Sequence, residues 1–268
     1  MKKKIPYTFG GRILDFRFPT SWKELNQEQL RYVFLVITLF PPVKAKTYVF
    51  MRFTGIRVRR RIKEGWLCSF RLNWHKKLRF ILQDWQIRSF LRQIDFISEP
   101  NAYPVRLDKI GGRYAIDSML HGLSFEDYLC CENYYQGYLY SQNISQLKSL
   151  YTYLYKKKPG MKGSLQAAFS RIKEYELVSV FLWWGSVKLY FASQFPHFFQ
   201  PFQRSVGADQ PELSNLMGAM NAQIRALTGG DVTKEKEVLQ MDCWRALTEL
   251  DAKAHDIQIL KSKQNGHK

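Results

Sequence analysis

The chain has 268 residues, enough to bury a sizeable core as one large domain or two small ones, and 15% of them are aromatic. That composition excludes disorder as the default state. The formal net charge of +18 is uneven: residues 1–100 hold 21 Lys+Arg against 7 Asp+Glu, whereas residues 101–268 hold 20 against 16. A first part this basic attracts polyanions (nucleic acid, an anionic membrane surface or an acidic protein) or only keeps the chain soluble. Four cysteines, Cys68, Cys130, Cys131 and Cys243, lack a disulfide-framework spacing, and the start MKKKIPYTFGG has no apolar run of signal-peptide length behind it. The expectation is a reduced, cytoplasmic protein.

In chain order, residues 7–18 alternate loosely around Gly10-Gly11 and predict a short β-hairpin. Ser21 with Glu24, and Asn26 with Gln29, each have capping-box spacing. They open a helix with Leu30, Val33, Phe34 and Ile37 on its buried stripe, closed by Pro41-Pro42, and Trp22 is expected to anchor its start. Residues 44–55 predict a second short helix ending at Gly55. The charged centre, 56–97, carries RVRRRIK at 57–63 and HKKLR at 75–79, with Trp66, Phe70, Trp74, Phe80 and Trp85 interleaved. Two patterns fit: a single-strand binding groove, where bases stack and phosphates pair, or an amphipathic helix whose aromatics face the core. The helix is the favoured pattern, although Ile56-Arg-Val-Arg also allows a strand.

Residues 98–101 break the helix, and 103–116 hold two apolar runs about Gly111-Gly112, consistent with a second hairpin or a loop. Ser124 caps a helix to about Tyr140, and Asn143 or Ser145 caps another that stops in YKKKPG. Residues 164–193 predict one long helix. Its uncharged run 177–187 is far short of a bilayer span, so it is expected as a buried central helix, with an interfacial membrane helix around Trp183 and Trp184 as the other reading. Residues 195–211 look like a linker. The C-terminal stretch predicts two antiparallel helices about Gly229-Gly230: one with Leu213, Leu216, Met217, Met220, Ile224 and Leu227 on a stripe, the other with Leu239, Cys243, Ala246, Leu250 and Ile257 on one face. Residues 258–268 form a polar tail expected to fray.

No nucleotide-loop, zincin or nucleophile-elbow motif occurs. The histidines are scattered, so no metal site and no cofactor is expected. Cys130, Cys131, Glu132 and His121 could supply a nucleophile and base, but cysteines on a packed helix belong more often to a core. The Gly229-Gly230-Asp231 turn precedes a helix start, where Asp231 would repel an anion. No catalytic residue is assigned.

Three stretches, PTSWKELNQEQL at 19–30, LYTYLYKKKPG at 150–160 and MNAQIRALTGGDVTKEKEVLQMDCWRALTEL at 220–250, resemble proteins carried by phages and prophages of gut Bacteroidales. The resemblance implies a place among tail-morphogenesis proteins and a role similar to that of tail-assembly chaperones, which bind the tape-measure protein. It carries no catalytic signature and transfers no site residue.

The expected fold is mainly α with minor β: a basic, aromatic-rich helical body with an N-terminal hairpin over 1–205, and a helical hairpin with a polar tail over 206–268. The expected function is non-enzymatic, a phage-assembly accessory protein that docks a partner such as a tail or tape-measure protein through Met217, Met220 and Arg225. The alternatives are nucleic-acid binding through Arg57, Arg59, Arg60, Arg61, Lys76, Lys77 and Arg79, and peripheral membrane association.

Overall fold

The structure, a computed structural model, describes residues 5–9, 12–16, 19–71, 74–99, 104–160, 163–199 and 213–265. The chain is mainly helical with a minor share of antiparallel strand, and it divides into two compact units, Met1–Asn101 and Ala102–Lys268. The expected boundary at 205/206 falls inside the second unit, because the C-terminal helices pack on a helix of residues 125–141.

In the first unit, β1 (Ile5–Phe9) and β2 (Arg12–Phe16) pair antiparallel; the Gly10-Gly11 turn lies outside the described residues. Ser21 does not cap a helix. Glu24 instead accepts hydrogen bonds from the Thr20 amide and hydroxyl, which closes a single 3-10 turn over Trp22–Glu24. The true start is Asn26, whose Oδ1 accepts from the Gln29 amide at 2.9 Å while Gln29 Oε1 accepts from the Asn26 amide at 3.0 Å. This box opens α1 (Gln27–Leu39), which buries Leu30, Val33, Phe34 and Val36. Trp22 stacks on Phe34 and donates Nε1–H to the Phe96 carbonyl, the anchoring expected of it. Pro42 starts α2 (Pro42–Thr54), and Gly55 ends it at φ 73°, a left-handed cap that costs a glycine little.

The favoured helix over 56–97 does not form. Residues here make a three-stranded antiparallel sheet, β3 (Arg57–Ile62), β4 (Gly65–Arg71) and β5 (Lys77–Leu82), in that order, followed by α3 (Asp84–Arg92). The physical reason is period: Trp66, Cys68 and Phe70 alternate with Leu67, Ser69 and Arg71, and Leu78, Phe80 and Leu82 with Lys77, Arg79 and Ile81. One face of the sheet therefore joins the core of Val33, Val49, Phe50, Ile56, Phe90 and Ile94. Gly65, at φ 139°, lets the β3–β4 turn close against β5; a Cβ there would sit 2.5 Å from the Leu82 carbonyl oxygen.

In the second unit, β6 (Lys109–Ile110), β7 (Arg113–Ala115) and β8 (Tyr155–Lys156) form a small sheet with β7 central. Ser124 caps α4 (Phe125–Ser141) and Asn143 caps α5 (Ile144–Leu154). The predicted long helix is two: α6 (Leu165–Phe169) stops at Ser170, and a new N-terminus forms where Glu176 accepts from the Lys173 amide. From there α7 (Glu174–Gln194) runs through the core, with Trp183 and Trp184 at 1% and 0% exposure. Their indoles are covered and so unavailable to a membrane. Trp184 donates to Glu132, which also accepts from Gln136 and pairs with Lys188.

The C-terminal segment contains α8 (Leu213–Thr228), α9 (Glu235–Gln240) and α10 (Cys243–Asn265). The second predicted helix is thus broken at Met241-Asp242. There Ser124 and Asp242 form an antiparallel bridge: the Phe125 amide donates to the Met241 carbonyl and the Cys243 amide to the Leu123 carbonyl, each at 2.8 Å. Asp242 then accepts from the Trp244 amide, capping α10, and from the Gly122 amide. The expected frayed tail is helical as far as Asn265. Among the described residues, no helix is long and apolar enough to cross a membrane.

Candidate nucleic-acid interface

The outer face of the β3–β5 sheet is built by register. Arg57 pairs with Ser69, which pairs with Arg79; Arg60 pairs with Leu67, which pairs with Ile81; and Arg71 pairs with Lys77. Side chains directly opposite one another share a face. Arg57, Arg60, Arg71, Lys77 and Arg79 therefore stand on one side. Arg57 and Arg60 are three residues apart and would fall on opposite faces in a regular strand. A β-bulge between Val58 and Arg60 absorbs the extra residue, Arg59, whose Nε donates to Ser69 Oγ at 3.1 Å. The buried Ser69 lies beneath these arginines.

Where this face meets α1 and α2 it opens into a groove of about 540 Å³, lined by Tyr32, Tyr48, Met51, Arg52, Gly55, Arg57, Val58, Arg59, Ser69, Phe70, Arg71 and Lys77. Five of these side chains are cations and none is an acid. Arg52, in the last turn of α2, reaches over the Tyr32 ring at 5.6 Å, and Tyr32 donates its hydroxyl to the Tyr48 carbonyl at 3.4 Å. Burial pushes the Tyr32 phenol above its ordinary range, with Arg52 acting against it. Among the described residues, no carboxylate lies within ion-pair distance of Arg57, Arg59, Arg60, Arg71, Lys77 or Arg79. The crowding has an electrostatic signature: Arg59 foremost, with Arg79, Arg57 and Arg71, holds the exposed Lys77 ammonium below the usual lysine range.

Of the seven basic residues singled out by sequence, the structure gathers Arg57, Arg59, Arg60, Lys77 and Arg79. Lys76 is exposed in the β4–β5 loop beside them. Arg61 is set apart: the bulge turns it to the opposite face, where it lies over the Trp66 ring at 5.8 Å and pairs with Asp84 at 3.4 Å. Arg52, Arg71, Tyr32 and Tyr48 were missed. Arg71 was within reach, since the two-residue alternation of β4 puts it in line with Leu67 and Ser69.

The proposed protein-docking residues do not form one patch. Met217 is 58% exposed and Arg225 is exposed, but Met220 is buried. The nucleophile-and-base group is also dispersed. Cys131 is fully buried, which pushes its thiol well above the ordinary range. His121 hydrogen-bonds Asp117 at 2.9 Å and stacks on Trp244. No cluster of three or more His, Cys, Asp or Glu suited to a metal occurs among the described residues.

No protein-family model, no curated protein and no solved structure matches this chain.

Proposed function

We propose that the first unit binds nucleic acid by its phosphate backbone, along the outer face of the β3–β5 sheet and into the groove beside α2. The observation that carries this reading is a groove lined by Arg52, Arg57, Arg59, Arg71 and Lys77 with no acid among its lining, continued by Arg60 and Arg79 on the same face of the sheet. A solubilising surface spreads its charges and intersperses acids, because like charges held together raise the free energy of the fold. Here the repulsion is concentrated enough to perturb Lys77, and a polyanion would relieve it. Arginine predominates, and its planar fork matches phosphate oxygens.

Binding of the whole chain to labelled oligonucleotides over a range of salt tests this. Each phosphate contact contributes about 0.7 to 0.9 to the slope of log affinity against log salt. Replacing Arg57, Arg59 and Arg71 together by Gln should flatten that slope by about 2 to 3. Absence of binding at low salt rejects the reading.

A second reading, protein docking in tail assembly as the phage resemblance implies, is favoured by the exposure of Met217 on α8. Co-purification with neighbouring tail proteins, lost in Met217→Glu, would support it. Failure to retain any of them counts against it.

A further inference from the structure

Resting on the nucleic-acid reading, we infer that the site takes an unpaired strand, and that Trp74 is the platform on which one of its bases stacks. Trp74 is 90% exposed, the most exposed of the large apolar side chains of the described residues. It lies between β4 and β5, three residues after Arg71 and three before Lys77, the pair that ends the β4–β5 ladder. Both residues of that pair line the basic groove. Trp74 thus stands three residues, at most about 10 Å of chain, from groove cations on either side. His75 and Lys76 next to it are also exposed.

An indole left in water forgoes roughly 2 to 3 kcal/mol of burial, so a tip of this kind is suited to a flat apolar partner. A base presents such a face only when it is unstacked. Within a duplex the faces are covered, and the ring would have to wedge a base step open. Tyr48 on the groove wall, 37% exposed, offers a second ring to the same strand. A bilayer would also accept an exposed tryptophan. A flat headgroup layer, however, touches only the convex tip and leaves the cations inside a 540 Å³ concavity unengaged. A strand threading the groove and crossing the tip engages both.

The test compares a labelled oligothymidylate, a duplex of equal length and phosphatidylserine vesicles, using the full chain and its Trp74→Ala, Trp74→Phe and Arg57→Gln/Arg71→Gln variants. Trp74 is exposed, so its replacement leaves the fold intact, which circular dichroism verifies. The expected result is tighter binding of the single strand than of the duplex. Trp74→Ala should weaken the single strand about tenfold, leave its salt slope and the duplex affinity unchanged, and be largely rescued by Trp74→Phe. Equal affinity for single strand and duplex, both weakened by the arginine variant and neither by Trp74→Ala, overturns this inference and leaves the nucleic-acid reading standing. Binding to neither oligonucleotide rejects both. Loss in Trp74→Ala of vesicle binding alone assigns the tip to a lipid surface and overturns the inference.

Discussion

Arg59 donates from Nε to Ser69 Oγ at 3.1 Å, and the bulge between Val58 and Arg60 is what carries the guanidinium across to it. The same extra residue resets the alternation of β3. Arg57 and Arg60 come to share the outer face, and Arg61 is turned away to Trp66 and Asp84.

Arg61 is consequently the internal control for the basic surface. Arg57→Gln, Arg59→Gln and Arg71→Gln should each lower affinity for an oligonucleotide and reduce the salt slope by about 0.7 to 0.9. Arg61→Gln should leave that slope unchanged, although it removes the same charge. Titrations at several salt concentrations separate local contact from net charge. Equal effects of all four would mean that only overall charge matters.

Lys77 should make the proposed polyanion binding sensitive to pH. Its neighbours, Arg59 first, lower its proton affinity, so it discharges at lower pH than an ordinary lysine. Affinity for a polyanion should therefore begin to decline with rising pH below the range of an ordinary lysine, and Lys77→Arg should abolish that early decline. Stability has the opposite sign. The folded-state value lies below the unfolded one, so stability rises with pH across the window between them and is lower beneath it. Parallel binding and denaturation curves for the two proteins check both signs.

In the second unit, Glu132 is held by Lys188, Gln136 and the Trp184 indole. Glu132→Ala would leave the ammonium and the indole N–H without their acceptor in a largely buried setting. The expected loss is about 2 to 4 kcal/mol by chemical denaturation. Lys188→Met should cost less, since the carboxylate keeps its two neutral donors.

Gly65→Ala should destabilise the first unit by about 3 kcal/mol, because both its φ of 139° and the 2.5 Å approach to the Leu82 oxygen exclude a side chain. Thermal unfolding would report this directly. The variant should also bind oligonucleotides more weakly, because the turn that registers Arg61 against Trp66 sets the whole β3–β4 ladder.

Much of the helical framework was legible locally. Asn26–Gln29, Ser124, Asn143 and Gly55 each act within a few residues of themselves, so spacing alone exposes them. Two kinds of feature were not. The sheet at 57–82 was obscured by aromatics and cations, which satisfy a helix stripe and a strand alternation almost equally over short runs, and a bulge then shifts the period within β3. The break between α9 and α10 depends on Leu123 and Gly122, more than a hundred residues upstream, which no local pattern can announce. The interface shows the same divide. Arg57 and Lys77 were visible as members of charge runs, whereas Arg52 joins them only because α2 ends beside the sheet.

The Ser124–Asp242 bridge also fixes an order of events during synthesis. Every strand pair of the β3–β5 sheet lies within residues 57–82, which leave the ribosome before any part of the second unit. The second unit cannot seat the start of α4 until Met241 and Asp242 have emerged, and closing so long a loop carries an entropic penalty that short hairpins avoid. The first unit can therefore fold while the second is still being made, and a nascent chain stalled before Met241 would carry a complete first unit and an incomplete second one.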